Sequence, residues 1–137
     1  MADSAKEDFD WVSAQSACST DLMFQRLQEG ARKDVERRNA AGFGRSDNWK
    51  FECHIDDGSF EVTRAGATAG AAAFVTFERV GPRIHVHGDG VDVEFTAIVA
   101  INTSGECRYF VGEAEYVGWE VRKLALDLLF FEEVEQD

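Results

Sequence analysis

Between Trp49 and Gly112 polar and apolar residues alternate, and turn residues break the alternation at intervals. A period of two is the signature of strands with one buried face, so this half of the chain reads as an antiparallel meander. The turns divide it into hairpins. In WKFECHIDDGSFEVTR the Asp57-Gly58 pair suits a two-residue type I′ turn, which sets Ile55 opposite Phe60, Cys53 opposite Val62 and His54 opposite Glu61. Residues 64–73, RAGATAGAAA, are too rich in Gly and Ala for a strand interior and read as a flexible connection. AFVTFERV and RIHVHG then join through Gly81-Pro82, the one proline, which cannot donate to a ladder and belongs at a turn or edge.

The stretch RIHVHGDGVDVEF sorts its two faces around Asp89-Gly90. A type I′ turn there sets His87 against Asp92, Val86 against Val93, His85 against Glu94 and Ile84 against Phe95, and a one-residue slip would mix the faces. The next strand turns back at Asn102-Thr103-Ser104-Gly105, pairing Ile101 with Cys107, Val99 with Tyr109 and Ala97 with Val111. One face of the sheet thus gathers Trp49, Phe51, Ile55, Phe60, Val62, Val75, Phe77, Val86, Val93, Phe95, Val99 and Tyr109.

The flanks follow other periods. Residues 1–8 are a polar tail, and FDWVSAQSA, residues 9–17, reads as a short first strand with Phe9 and Trp11 on one face. Ser19 or Thr20 offers a helix N-cap. Met23, Phe24, Leu27, Ala31 and Val35 recur at helical spacing to about residue 40, where Gly42 and Gly44 stop the helix. A last helix over 118–131 carries Val121, Leu124, Ala125, Leu128 and Phe131 as its stripe. Trp119, Leu126, Leu129 and Phe130 lie off that stripe, so the helix is apolar on most sides and calls for covering from more than one direction. Residues 132–137 are an acidic tail.

The fold class expected is α+β: one domain over residues 9–131, with an antiparallel meander of six or seven strands and an N-terminal and a C-terminal helix packed on one face. This order of a short strand, a helical segment, six antiparallel strands and a final helix resembles the helix-grip fold of START and Bet v 1 type domains. The resemblance implies a hydrophobic ligand cavity between sheet and final helix, near Trp49, Phe77, Tyr109 and Trp119.

Composition narrows the functions. At 137 residues the chain suits one domain, and 45% hydrophobic residues with 11 Phe and 3 Trp supply a core. A net charge of -12 argues against nucleic acid and anionic membrane, which are held by clustered cations. Neither a secretory leader nor a membrane span is apparent, so a cytoplasmic location is expected. Cys18, Cys53 and Cys107 show no C-x-x-C spacing and read as buried thiols in a reducing compartment.

Every histidine is expected to face a carboxylate: His54 with Glu61, His87 with Asp92, and His85 with Glu94 and Glu78. A carboxylate can fix a histidine tautomer, and two histidines at i and i+2 point the same way, so His85, His87, Asp92, Glu94 and Glu78 form a candidate polar cluster for metal or acid–base chemistry. The plainer reading is cross-strand charge pairing on an exposed face. No Walker, G-x-S-x-G or H-E-x-x-H spacing occurs, and no metal or cofactor is assigned. Arg32, Lys33, Arg37 and Arg38 crowd the end of the first helix as a solvated or salt-bridged face.

Three functions are compatible with these residues. The first is a non-catalytic interaction module, self-associating as a homodimer or meeting a protein partner through Ile98, Phe110, Leu126, Leu129 and Phe130. The second is a helix-grip binder of a small hydrophobic ligand. The third is a metal protein or enzyme built on His85 and His87.

Overall fold

The computed structural model describes residues 8–42, 49–66 and 72–131. Within them lie three helices, α1 (Trp11–Ala17), α2 (Thr20–Ala41) and α3 (Gly118–Phe131). Seven strands separate α2 from α3: β1 (Lys50–Asp56), β2 (Ser59–Ala65), β3 (Ala73–Val80), β4 (Arg83–Asp89), β5 (Glu94–Ile101), β6 (Cys107–Val111) and β7 (Ala114–Tyr116). Each strand pairs antiparallel with the next, giving one sheet in the order β1-β2-β3-β4-β5-β6-β7. The fold is α+β, as the alternation implies.

Local chemistry sets the helix ends. Ser19 caps α2, its side chain accepting from the Leu22 N–H at 3.2 Å, and Gly42 ends the helix at a φ of 73° that other residues rarely adopt. Before α3, Glu120 reaches back to accept from the Val117 N–H at 2.9 Å, one half of a capping box. The expected first strand is instead helix α1. Asp10 caps it by accepting from Ser13 N–H at 3.0 Å, and its Ser and Ala residues bring little β preference, so local capping outweighs the apparent alternation of Phe9 and Trp11. No residue of α1 is buried.

A single apolar cluster joins the helices to one face of the sheet. Met23, Phe24, Leu27, Ala31 and Val35 of α2 and Val121, Ala125, Leu126, Leu129 and Phe130 of α3 meet Phe51, Phe60, Val62, Val75, Phe77, Ile84, Val86, Ala97 and Tyr109. Phe60 and Phe77 stack at 4.4 Å between centroids, and Phe51 meets Phe130 edge-on at 5.0 Å. Leu27 and Leu129 are fully buried, and truncating either to Ala costs about 2–5 kcal/mol. Ile55, expected on this face, sits near the end of the edge strand and stays half exposed.

The hairpin registers at Asp57-Gly58 and at residues 101–107 are those the sequence implies, with Ile55 opposite Phe60, His54 opposite Glu61, Ile101 opposite Cys107 and Val99 opposite Tyr109. The first turn is not type I′, however, because only Gly58 takes positive φ. At Asp89-Gly90 the register differs by two residues: His87 faces Glu94, Val86 faces Phe95, His85 faces Thr96 and Ile84 faces Ala97. A two-residue slip keeps every side chain on its face, so the hydrophobic pattern cannot see it. Packing decides it. Val91 folds inward and is buried, and Gly88 leaves the space it needs, since a Cβ there would lie 2.6 Å from the Val91 carbonyl oxygen.

Two further expectations change. Arg64 and Ala65 belong to β2 and Ala73 to β3, so the Gly/Ala connection is shorter than residues 64–73, and its centre, 67–71, lies outside the described residues, as do Gly44 and the tails 1–7 and 132–137. Cys18 and Cys107 form a disulfide across 89 residues of sequence, leaving only Cys53 of the expected thiols free. Helix packing creates this pair: the start of α2 lies beside β6, where the Tyr109 hydroxyl also donates to the Met23 carbonyl at 2.6 Å.

Candidate functional site

The polar cluster forms on the open face of the sheet. His85 and His87 stack with ring centroids 5.1 Å apart, and His85 Nε2 lies 3.6 Å from Glu94 Oε2 across a diagonal. Glu78 sits opposite His85, while Asp92 falls in the loop before β5 and pairs with neither histidine. His54 lies nearer Glu52, at 3.3 Å, than its cross-strand neighbour Glu61 would suggest. Among the described residues no three metal-ligating side chains converge. His85 and His87 are half-buried, and the carboxylates around them, Glu78, Asp92 and Glu94, are exposed.

Of the four residues expected to line a cavity, Phe77 and Tyr109 are packed into the core. Burial pushes the Tyr109 phenol up to about 12, against the opposing pull of Arg26 and Arg122. Trp49 lies under the Arg64 guanidinium, 4.1 Å from its ring centre. Trp119 is 59% exposed. Among the expected interface residues, Ile98 and Phe110 face each other on the outer side of β5 and β6, but Leu126, Leu129 and Phe130 point into the core.

That last difference has a single cause, the rotation of α3. Its buried side is Val121, Ala125, Leu126, Leu129 and Phe130, roughly a third of a turn from the stripe the sequence implies. Tertiary contacts from other elements hold this rotation. Arg122 donates to Asp34 of α2 at 2.6 Å, with both side chains mostly buried. At the C-terminal end of α3, which has no cation in its own last turn, buried Arg38 donates to the Phe130 carbonyl at 2.8 Å and buried Arg64 to the Leu129 carbonyl at 3.2 Å. Two guanidinium groups thereby satisfy carbonyls that a helix end leaves open. Arg38 therefore caps a second helix, while the exposed Arg32 and Arg37 pair with Glu29 and with the mostly buried Asp34.

The rotation leaves Leu124, Leu128 and Phe131 about 40% exposed. Leu124 and Leu128 look onto a strip of the inner sheet face that no helix among the described residues covers. Between them runs a groove of about 720 Å³ whose walls are Val93, Phe95, Val111 and Tyr116 on one side and Trp119, Leu124 and Leu128 on the other. Asp92, Glu94, Glu120 and Asp127 line it as well, with Lys123, which bonds Asp127 at 3.1 Å. A second groove, of about 450 Å³, separates α3 from α2 and holds Arg37, Arg38 and Arg122 beside Phe130 and Phe131. Asp34 occupies two of those cations, so this second groove is already internally neutralised in part.

The groove beside the sheet escaped the sequence reading. Helical spacing places Leu124 and Leu128 in the core stripe, and only the apolar surplus of α3 signals that some of its residues face outward. Among the described residues no helix is long and apolar enough to cross a membrane. No family model, curated protein or solved structure matches the chain.

Proposed function

We propose that the chain is a non-catalytic binding module whose working surface is the groove between α3 and the uncovered strip of the sheet. The observation that carries this reading is the apolar floor, with Phe95, Val111 and Tyr116 facing Leu124 and Leu128 in one continuous concave surface. Apolar side chains left facing water in a concavity cost free energy that an occupant recovers, and such patches mark sites of interaction. Carboxylates, one lysine and apolar groups line it, a set suited to recognition and lacking a serine, cysteine or histidine nucleophile. In this reading the disulfide favours an oxidising compartment over the cytoplasm, because such bonds persist where thiols are not kept reduced.

A second reading is favoured by position. The groove lies between the final helix and the sheet, where the resemblance to helix-grip domains would hold a small hydrophobic ligand, and its volume falls within the ~300–1,000 Å³ of small-molecule sites. Nile red, a neutral hydrophobic dye, tests the surface common to both readings. Saturable binding at one site is expected, abolished by Leu124→Ser/Leu128→Ser with an unfolding midpoint close to that of the parent chain. Undiminished dye binding in that variant would remove the groove as the working surface.

A further inference from the structure

We infer that the groove beside α3 receives a basic amphipathic segment of a partner protein, an inference that rests on the groove's being the working surface. Charge selects the occupant. Four carboxylates, Asp92, Glu94, Glu120 and Asp127, line the groove against a single ammonium, Lys123, and that ammonium is already bonded to Asp127. Glu94 stands at the rim, 77% exposed at its side chain and 3.6 Å from His85 Nε2, so an incoming cation would share it with that imidazole. An apolar stripe laid on Phe95, Val111, Leu124 and Leu128, with Lys or Arg flanking it, would bury the floor and neutralise the rim together.

The alternatives meet the same field with the wrong sign. A second copy of this chain brings a net charge of -12 and an identical acidic rim. The chain's own terminal residues 132–137, EEVEQD, carry four carboxylates and no cation. Phosphate backbones and anionic lipid are repelled likewise. Length argues for a polypeptide segment over a compact small cation. Exposed apolar residues of the groove recur along α3 from Trp119 to Leu128, a span of about 13–14 Å at 1.5 Å per residue, which a helical segment of about 10 residues would match.

The test uses three labelled synthetic peptides of about 14 residues sharing one leucine pattern, with Lys, Gln or Glu at the polar positions, titrated into the full chain by fluorescence anisotropy. The Lys peptide is expected to saturate one site and to weaken as salt rises. Asp92→Asn/Glu94→Gln/Glu120→Gln is expected to weaken it by about tenfold, the sum of three exposed charge pairs, while Glu29→Gln/Glu52→Gln/Asp56→Asn changes it by less than about twofold. Glu120→Gln keeps an oxygen for the Val117 N–H, so the cap of α3 survives the change. Equal binding of the Lys and Glu peptides, or equal loss in the two triple variants, overturns the basic partner while leaving the groove as a binding surface. Failure of all three peptides with a chain that still takes up Nile red also overturns it and assigns the groove to small ligands. A dimer in sedimentation that Leu124→Ser/Leu128→Ser dissociates gives the groove to a second copy and overturns it equally. Loss of peptide and dye binding alike overturns the binding-groove reading itself.

Discussion

The Asn39 side chain pairs with the backbone of Phe51 as a neighbouring strand would: its Nδ2 donates to the Phe51 carbonyl at 2.9 Å and its Oδ1 accepts from the Phe51 N–H at 3.0 Å. Phe51 lies on β1, the free edge of the sheet, and its ring is buried against Phe130. One amide at the end of α2 thus closes part of an edge that would otherwise invite pairing with another chain, and it ties α2 to β1. Asn39→Ala is expected to lower stability by about 1–3 kcal/mol in urea unfolding, since two backbone groups lose their partner. Asn39→Asp can still accept from the Phe51 N–H but sets a carboxylate against the carbonyl, so it should recover little of that loss. A midpoint unchanged in both variants would show the pairing to be incidental.

Tyr109 makes stability fall at high pH. The folded chain holds its phenol proton up to about 12, above the ordinary value of 10, chiefly because burial disfavours the phenolate. A raised folded value means that the folded state binds more protons than the unfolded one between those limits. The stabilisation is complete below pH ~10 and is lost as pH rises through the window to about 12, approaching ~3 kcal/mol at the top. Urea midpoints measured across pH 9–12 should show this slope. Tyr109→Phe should flatten it while costing about 1–2 kcal/mol at neutral pH for the lost bond to the Met23 carbonyl.

The Cys18–Cys107 bond can be read by thiol counting. The unfolded, unreduced chain should expose one reactive thiol, Cys53, and the reduced chain three. Closing a loop of 89 residues restricts the unfolded ensemble, so reduction should lower stability by roughly 2–4 kcal/mol. Because no residue of α1 is buried, hydrogen exchange over Trp11–Ala17 should accelerate on reduction more than exchange in the sheet.

Gly88→Ala tests the register at the β4–β5 loop. The added methyl would meet the Val91 carbonyl oxygen and its Cγ2 at 2.6 and 2.8 Å, forcing Val91 from its buried position. An expected loss of about 1–3 kcal/mol follows from overpacking. Were Gly88 to Val91 the simple hairpin end that the residues suggest, alanine would be accommodated with little change.

Much of the fold was legible in the residues. Alternation located the strands from β1 to β6, and helical spacing with Ser19 and Gly42 bounded α2. The turn at Asp89-Gly90 and the outward face of α3 each depended on a choice that local pattern leaves degenerate, whereas the strand over residues 9–17 gave way to a local signal, the Asp10 cap of α1. The candidate site suffered most, because Leu124 and Leu128 count equally as core or as groove until the helix is rotated.

What the sequence determined by itself was periodicity, and periodicity fixes which face a strand buries and how long a helix can run, since both follow from backbone geometry. Tertiary structure decided the rest: the Arg122–Asp34 pair and the two arginine caps held α3 in its rotation, Val91 chose between registers two residues apart, and the packing of α2 against β6 brought Cys18 to Cys107. These contacts join residues far apart in the chain, and their strength depends on burial and distance, which no local repeat encodes.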